Sequence, residues 1–172
     1  MNGLAKIPFK EGDLHLYVNG KDNTQKVFRI KDGKGVPVLV NGKEVFPAFP
    51  HGINGTDQTK QGNDAPEGIY ILEAPIYTQP NEPDEIKRAF GRVFVPMRMW
   101  KGKSYGRLGF GVHGGGHWGK HWDDYQPLTY TLGCDRTHNK DAESVAWLQK
   151  DCTARGCTFY MTLDHIGGVG TV

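Results

Sequence analysis

The chain has 172 residues, among them 24 glycines and 10 prolines, and a formal net charge of +2. So small a charge, with no dense Lys/Arg run interleaved with aromatics, argues against a nucleic-acid partner, and no apolar run approaches the roughly 18 residues of a membrane-spanning helix. A single domain of this length buries roughly 70% of its unfolded-chain surface, and abundant Gly and Pro suit many short strands joined by turns.

In chain order, Leu14, Leu16 and Val18 alternate with polar or aromatic positions, which predicts a half-buried strand. Asn19-Gly20 is a turn signal, Lys26–Ile30 reads as the next strand, and Asp32-Gly33-Lys34-Gly35 separates it from Val36–Val40. Asn41-Gly42 then turns into Glu44–Phe46. Pro47 to Pro66 is polar and rich in Gly, Asn and Asp, the longest expected loop, and long loops tend to carry function or mobility. Gly68–Ile76, Arg92–Trp100 and Arg107–Val112 read as strands, with a polar loop over Thr78–Glu85. One principal helix is expected, capped by Asn139 or Asp141, with Val145, Leu148 and Cys152 on one face and Gly156 as its stop. Cys157–Leu163 is the last strand. The whole chain, 1–172, reads as one mainly β domain.

Cys152 and Cys157 are close enough for a small disulfide loop, which leaves Cys134 free; the other reading keeps both reduced and partly buried. No cysteine spacing supports a structural zinc site. The N-terminus, Met-Asn-Gly-Leu-Ala-Lys-Ile-Pro-Phe-Lys, lacks the apolar stretch of a secretory signal.

The chemistry concentrates in His113-Gly114-Gly115-Gly116 and Thr131-Leu132-Gly133-Cys134-Asp135-Arg136, with histidine and cysteine 21 residues apart. A thiol needs a nearby base to attack a carbonyl rapidly near neutral pH, which casts Cys134 as nucleophile and His113 as base. A second imidazole partner, a carbonyl or carboxylate, is needed to fix the tautomer. Gly133 lets backbone amides approach a substrate oxyanion, the coming helix and Arg136 favour the thiolate, and Gly114 opens a groove for the ring. Thr131 reads as a hydroxyl donor or an ordinary strand residue. Arg136 reads as a receptor for a substrate carboxylate or one half of a surface pair with Asp135 or Asp141. Trp118, with His117, His121 and Trp122, reads as a substrate wall or an exposed loop. The blander readings are an inert core cysteine and a structural histidine. A helix carrying His113, His117 and His121 as metal ligands is opposed by three glycines, and no metal or cofactor is assigned to this site.

At these residues the chain resembles the L,D-transpeptidase catalytic domain, the YkuD-type fold. His113-Gly114, a 16-residue spacer and Thr131-Leu132-Gly133-Cys134-Asp135-Arg136 are similar to its signature. Ala65-Pro66-Glu67-Gly68-Ile69-Tyr70 resembles the upstream segment of its YafK-like branch, and Asn139-Lys140-Asp141 resembles the Asn-x-Asp that often follows the cysteine. The resemblance spans roughly residues 10–165. It implies a β-sandwich or barrel of short strands with a helix after the cysteine. It also implies Cys134 as nucleophile, His113 as general base, peptidoglycan stem peptides as donors and a thioester intermediate. Leu132 stands where the family usually has a second histidine. With the missing signal, this implies a second variant of the reading, an antibacterial effector with an immunity protein as partner, or a phage lysis enzyme. Action in the periplasm or wall follows in each case. The alternatives are a zinc peptidase using some of His113, His117, His121 and His165, or a wall-binding module with a degenerate site.

Overall fold

A computed structural model describes residues 6–165; the first five residues of the N-terminal segment read above lie outside it. The fold is mainly β with one long helix. The strands are β1 (Leu14–Asn19), β2 (Thr24–Lys31), β3 (Lys34–Val38), β4 (Phe46–Pro47), β5 (Gly68–Leu72), β6 (Ile76–Tyr77), β7 (Val93–Gly102), β8 (Gly111–His113), β9 (Asp135–Arg136) and β10 (Phe159–Asp164). Helix α1 covers Asp84–Phe90 and α2 covers Asn139–Ala154.

The strands form one path, β3-β2-β1-β10-β5-β7-β8-β9. β1 runs parallel to β10, and β8 parallel to β9. The β2–β3 turn follows from its residues: Asp32 and Gly33 take φ of 52° and 74°, as a two-residue hairpin requires, and Lys31 pairs with Lys34. The two ends of the path are drawn together by the segment after β4. β4 pairs with the start of β2, Phe49 exchanges backbone hydrogen bonds with Arg136, and Ile53 N–H bonds the Thr131 carbonyl. The sheet therefore curls, and this seam lies beside the cysteine.

The alternating residues of β1 (Leu14, Leu16, Val18) and β10 (Phe159, Met161, Leu163) join Val145, Leu148 and Cys152 of α2 in the main core. Helix α2 ends where expected, at a left-handed Gly156 (φ 73°). The Cys152–Cys157 disulfide ties its last turn to the approach of β10 and leaves Cys134 free.

Several expectations are corrected. The Thr78–Glu85 loop runs into α1, which carries Asp84 and Glu85 in its first turn and Lys87 and Arg88 in its last, charges that complement the helix dipole. Gly68–Ile76 splits into β5 and β6. Only Gly111–His113 of the segment leading to His113 is strand, because Gly106 and Gly109 take positive φ and Arg107 turns inward. α2 uses neither Asn139 nor Asp141 as its cap; His138 is the N-cap residue, without a side-chain cap bond, and the buried Gln126 accepts from the Asn139 amide instead. Among the described residues no helix is long and apolar enough to cross a membrane.

Two buried histidines make stability depend on acid. Burial lowers His15 to about 4 and His113 to about 3, from 6.5. Between pH 6.5 and pH 4 the unfolded chain takes up protons that the folded chain refuses, so stability is full above 6.5 and falls with acidification, by on the order of 1 kcal/mol per pH unit per histidine. His15→Phe should shallow that slope by about half when urea midpoints are followed from pH 7 to pH 4.5; an unchanged slope counts against the assignment.

Candidate active site

Cys134 and His113 line the same cavity, of about 420 Å³. Cys134 follows the seam and precedes β9; His113 ends β8. Further wall comes from α1 (Arg88, Phe90), from residues 108–110 before β8, from residues 129–132 before the cysteine and from the long loop, which contributes Ile53 and Gln61. Leu132, 63% exposed, sits at the rim.

The imidazole is held on three sides. Its Nδ1 lies 2.8 Å from the Gly114 carbonyl. A carbonyl only accepts, so Nδ1 carries the proton and Nε2 keeps its lone pair, the tautomer a general base requires. Phe90 packs edge-on to the ring and Phe94 lies tilted against it. Burial first, and the Arg136 charge second, push His113 down to about 3.

The sulfur is also uncharged at rest. Burial pushes the Cys134 thiol up to about 11, against a backbone hydrogen bond from Gly111 and the Arg136 charge, which favour thiolate. The thiol contacts the Gly109 carbonyl at 3.8 Å, and no hydrogen bond among the described residues joins it to His113. The Arg136 charge favours the thiolate as expected, but removal from water outweighs it, and β9 separates Cys134 from the following helix α2.

Gly133 takes φ 115°, and a side chain there would strike Arg107 and the Asn63 carbonyl. Its amide is committed to Thr131 Oγ1 at 2.9 Å, while the same hydroxyl donates to the Cys134 carbonyl at 2.9 Å. Thr131 thus clasps the turn that presents the sulfur. The Cys134 amide has no hydrogen-bond partner among the described residues.

Arg136 is buried, and it makes no ion pair with Asp135 or Asp141 among the described residues. Its Nε donates to the Gly114 carbonyl (3.1 Å), and its terminal nitrogens to Thr129, Tyr130 and Ala89 carbonyls and the Thr129 hydroxyl. One N–H of its five remains for a ligand. The residue sequence reasoning missed is Arg88. It lines the cavity, forms no salt bridge among the described residues and stacks over Trp118 at 4.3 Å. Trp118, 55% exposed, stands behind Arg88 rather than in the cavity wall.

Gly114 serves close packing rather than an open groove: a Cβ there would lie 2.0 Å from Asn139 Oδ1. The buried Asn139 side chain accepts from the Gly115 amide and donates to the His121 and Asp123 carbonyls, bracing the His117–Trp122 loop. The loop histidines do not form a metal centre with His113. Among the described residues, the trio whose ligand atoms converge is His51, Asp64 and His165.

No protein-family profile and no curated protein sequence matches the chain. Solved structures do share its fold. One is Bd1075 of Bdellovibrio bacteriovorus, with a TM-score of 0.55 and 16% identity over 93% of this chain and 50% of that one. Another is the helical cell shape determining protein Pgp2 of Campylobacter jejuni, with a TM-score of 0.57 and 15% identity over 87% of this chain and 46% of that one. The chain spans about half the length of each.

Two measurements check the resting site. Iodoacetamide alkylation of Cys134 should climb with pH to about 10 and beyond, without a plateau near neutrality; a plateau between pH 5 and 8 means a thiolate–imidazolium pair instead. Thr131→Val, nearly isosteric, should cost roughly 1–2 kcal/mol of unfolding free energy through its two lost hydrogen bonds; unchanged urea midpoints contradict the clasp.

Proposed function

We propose that the chain is a cysteine acyl-transfer enzyme acting on peptidoglycan stem peptides, an L,D-transpeptidase or L,D-carboxypeptidase. The observation that carries the reading is a free cysteine and a histidine of fixed Nδ1–H tautomer lining one solvent-open cavity. The resemblance of the sequence motifs to the YkuD-type family supplies the substrate class. A fold shared with a cell shape determining protein agrees with it, since bacterial shape is a property of the wall.

The chemistry is general-base catalysis from a neutral pair. As the sulfur attacks the amide between the L-centre of diaminopimelate and the terminal D-Ala, His113 Nε2 takes the thiol proton. The Cys134 amide stabilises the oxyanion, and Arg136 and the Gly111 backbone hydrogen bond stabilise the thiolate character of the transition state. His113 then protonates the departing D-Ala amine, leaving a thioester. An amine from another stem gives a 3–3 cross-link, water gives carboxypeptidation and a free D-amino acid gives exchange. Sulfur and imidazole need to close together only in the loaded site, as catalytic hydrogen bonds often do.

Arg88 takes the role first given to Arg136, binding the stem carboxylate, because it lines the cavity and forms no salt bridge among the described residues. The Cys152–Cys157 disulfide suits the periplasm or wall, an oxidising setting, whether of the producing cell or of a rival that receives the protein as an effector. An effector of this kind implies an immunity protein in its producer.

Mass spectrometry of tetrapeptide and pentapeptide muropeptides after incubation separates cross-linking, trimming and exchange. Cys134→Ala and His113→Ala should each lose at least roughly a hundredfold of that activity; near-normal turnover in either overturns the mechanism. Arg88→Gln should raise KM more than it lowers kcat. A carbapenem should add to Cys134 by intact mass, and no adduct counts against a competent thiol.

A further inference from the structure

A second group of chemistry-bearing side chains sits across the seam from the cysteine. His51 follows the seam, Asp64 precedes β5 and His165 follows β10. Their tautomers are set by acceptors. His51 Nε2 lies 3.0 Å from the Gly20 carbonyl and 2.8 Å from Asn23 Oδ1, and His165 Nε2 lies 2.8 Å from the Ala65 carbonyl. Each Nε2 therefore carries a hydrogen, and each neutral ring turns a lone pair outward at Nδ1. Both lone pairs face one oxygen: Asp64 Oδ2 is 3.4 Å from His51 Nδ1 and 3.6 Å from His165 Nδ1. Asp64 Oδ1 is held by the Gly52 amide at 2.7 Å.

One proton does not reconcile these atoms. A proton on His51 Nδ1 makes an ion pair with Asp64 across 3.4 Å. His165 Nδ1 is then left aimed at a carboxylate oxygen with nothing between. The His165 side chain is only 9% exposed and its Nδ1 has no hydrogen-bond partner. Leaving such a group buried and unmatched costs roughly 1–3 kcal/mol. The surroundings also keep the space open: a Cβ at Gly20 would come within 2.8 Å of His165 Nδ1, and Gly20 is not among the left-handed glycines that need the residue for conformation.

We propose that His51 Nδ1, Asp64 Oδ2 and His165 Nδ1 bind a divalent first-row metal ion of the zinc class. The three ligand atoms lie within 4.8 Å of one another. Tetrahedral zinc with bonds near 2.0–2.2 Å sets its ligands roughly 3.3–3.5 Å apart, which the two contacts to Asp64 already approach. Two imidazoles and a carboxylate form a borderline donor set suited to zinc rather than to magnesium or calcium. The Gly20 and Ala65 carbonyls on the far nitrogens are the outer partners that ligating histidines characteristically have. His51 and Asp64, though not His165, also line a cavity of about 400 Å³ from which a water could supply a fourth ligand. The ion pins the long loop to the end of β10. The His51 carbonyl accepts from the Thr131 amide, so the pinned loop is also the one that braces the cysteine turn. None of the three ligands lines the cavity that holds Cys134.

The test uses the full chain carrying Cys134→Ala, which removes the free thiol as a competing ligand, after stripping with a chelator and dialysis. Titration calorimetry with zinc should give one equivalent bound, and saturating zinc should raise Tm by roughly 5 °C or more. His51→Gln and His165→Gln should lose both responses, while a His117→Gln, His121→Gln double variant keeps both. Failure of the parent to bind stoichiometric zinc, survival of binding in the first two variants, or its loss in the double variant overturns the proposal. Should a variant not fold, histidine ring ¹⁵N spectra of the parent decide: zinc must shift two Nδ1 resonances to the metal-bound position, and spectra unchanged by zinc overturn the site.

Discussion

One carbonyl oxygen governs the arrangement of the cavity. Gly114 O accepts both from His113 Nδ1 and from Arg136 Nε. The first bond determines which imidazole nitrogen is basic. The second fixes the carbonyl itself, because the same guanidinium is anchored to the Ala89 carbonyl at the end of α1 and to Thr129 and Tyr130 before the cysteine turn. A cation removed from water is expensive unless its donors are met. Here the bonds that meet them gather the histidine, the short helix and the segment leading to the cysteine around one point.

The glycines between these pieces are the condition for that gathering. Gly115 and Gly116 let the tract pass against the last turn of α1, where the Gly116 amide bonds the Arg88 carbonyl at 2.7 Å. Gly114 and Gly91 make room for Asn139 Oδ1. A side chain at Gly91, Gly114 or Gly115 would press on backbone or on the hydrogen-bonded Asn139 amide, and one at Gly116 on the Thr129 hydroxyl and the anchored Arg136 guanidinium, none of which yields cheaply. The cavity is thus closely packed on the histidine side, and Arg88, Gln61 and Leu132 supply longer side chains to its wall.

Much of the fold was legible because local signals and burial agree. The alternation in Leu14, Leu16 and Val18, the Asp32-Gly33 turn and the apolar stripe through Val145, Leu148 and Cys152 all sit where their period predicts. What was not legible depends on distant partners. Asn139 looks like a helix cap from its neighbours and is a brace because a loop some 20 residues upstream needs donors and acceptors. Arg136 looks like a surface ligand receptor and is enclosed because carbonyls from three segments meet there. Arg88 gave no signal, since the helix carrying it is short and exposed. His51 and Asp64 share the long loop, but His165 follows β10, the last strand, and only the curl of the sheet brings the three together.

The neutral thiol of Cys134 has a bearing on its resistance to oxidation. Peroxide and disulfide exchange both proceed through the sulfur anion, and each would consume the side chain before a substrate arrived. A cysteine kept neutral by its enclosure is chemically quiet while idle, even though its chain carries an oxidised pair at Cys152 and Cys157.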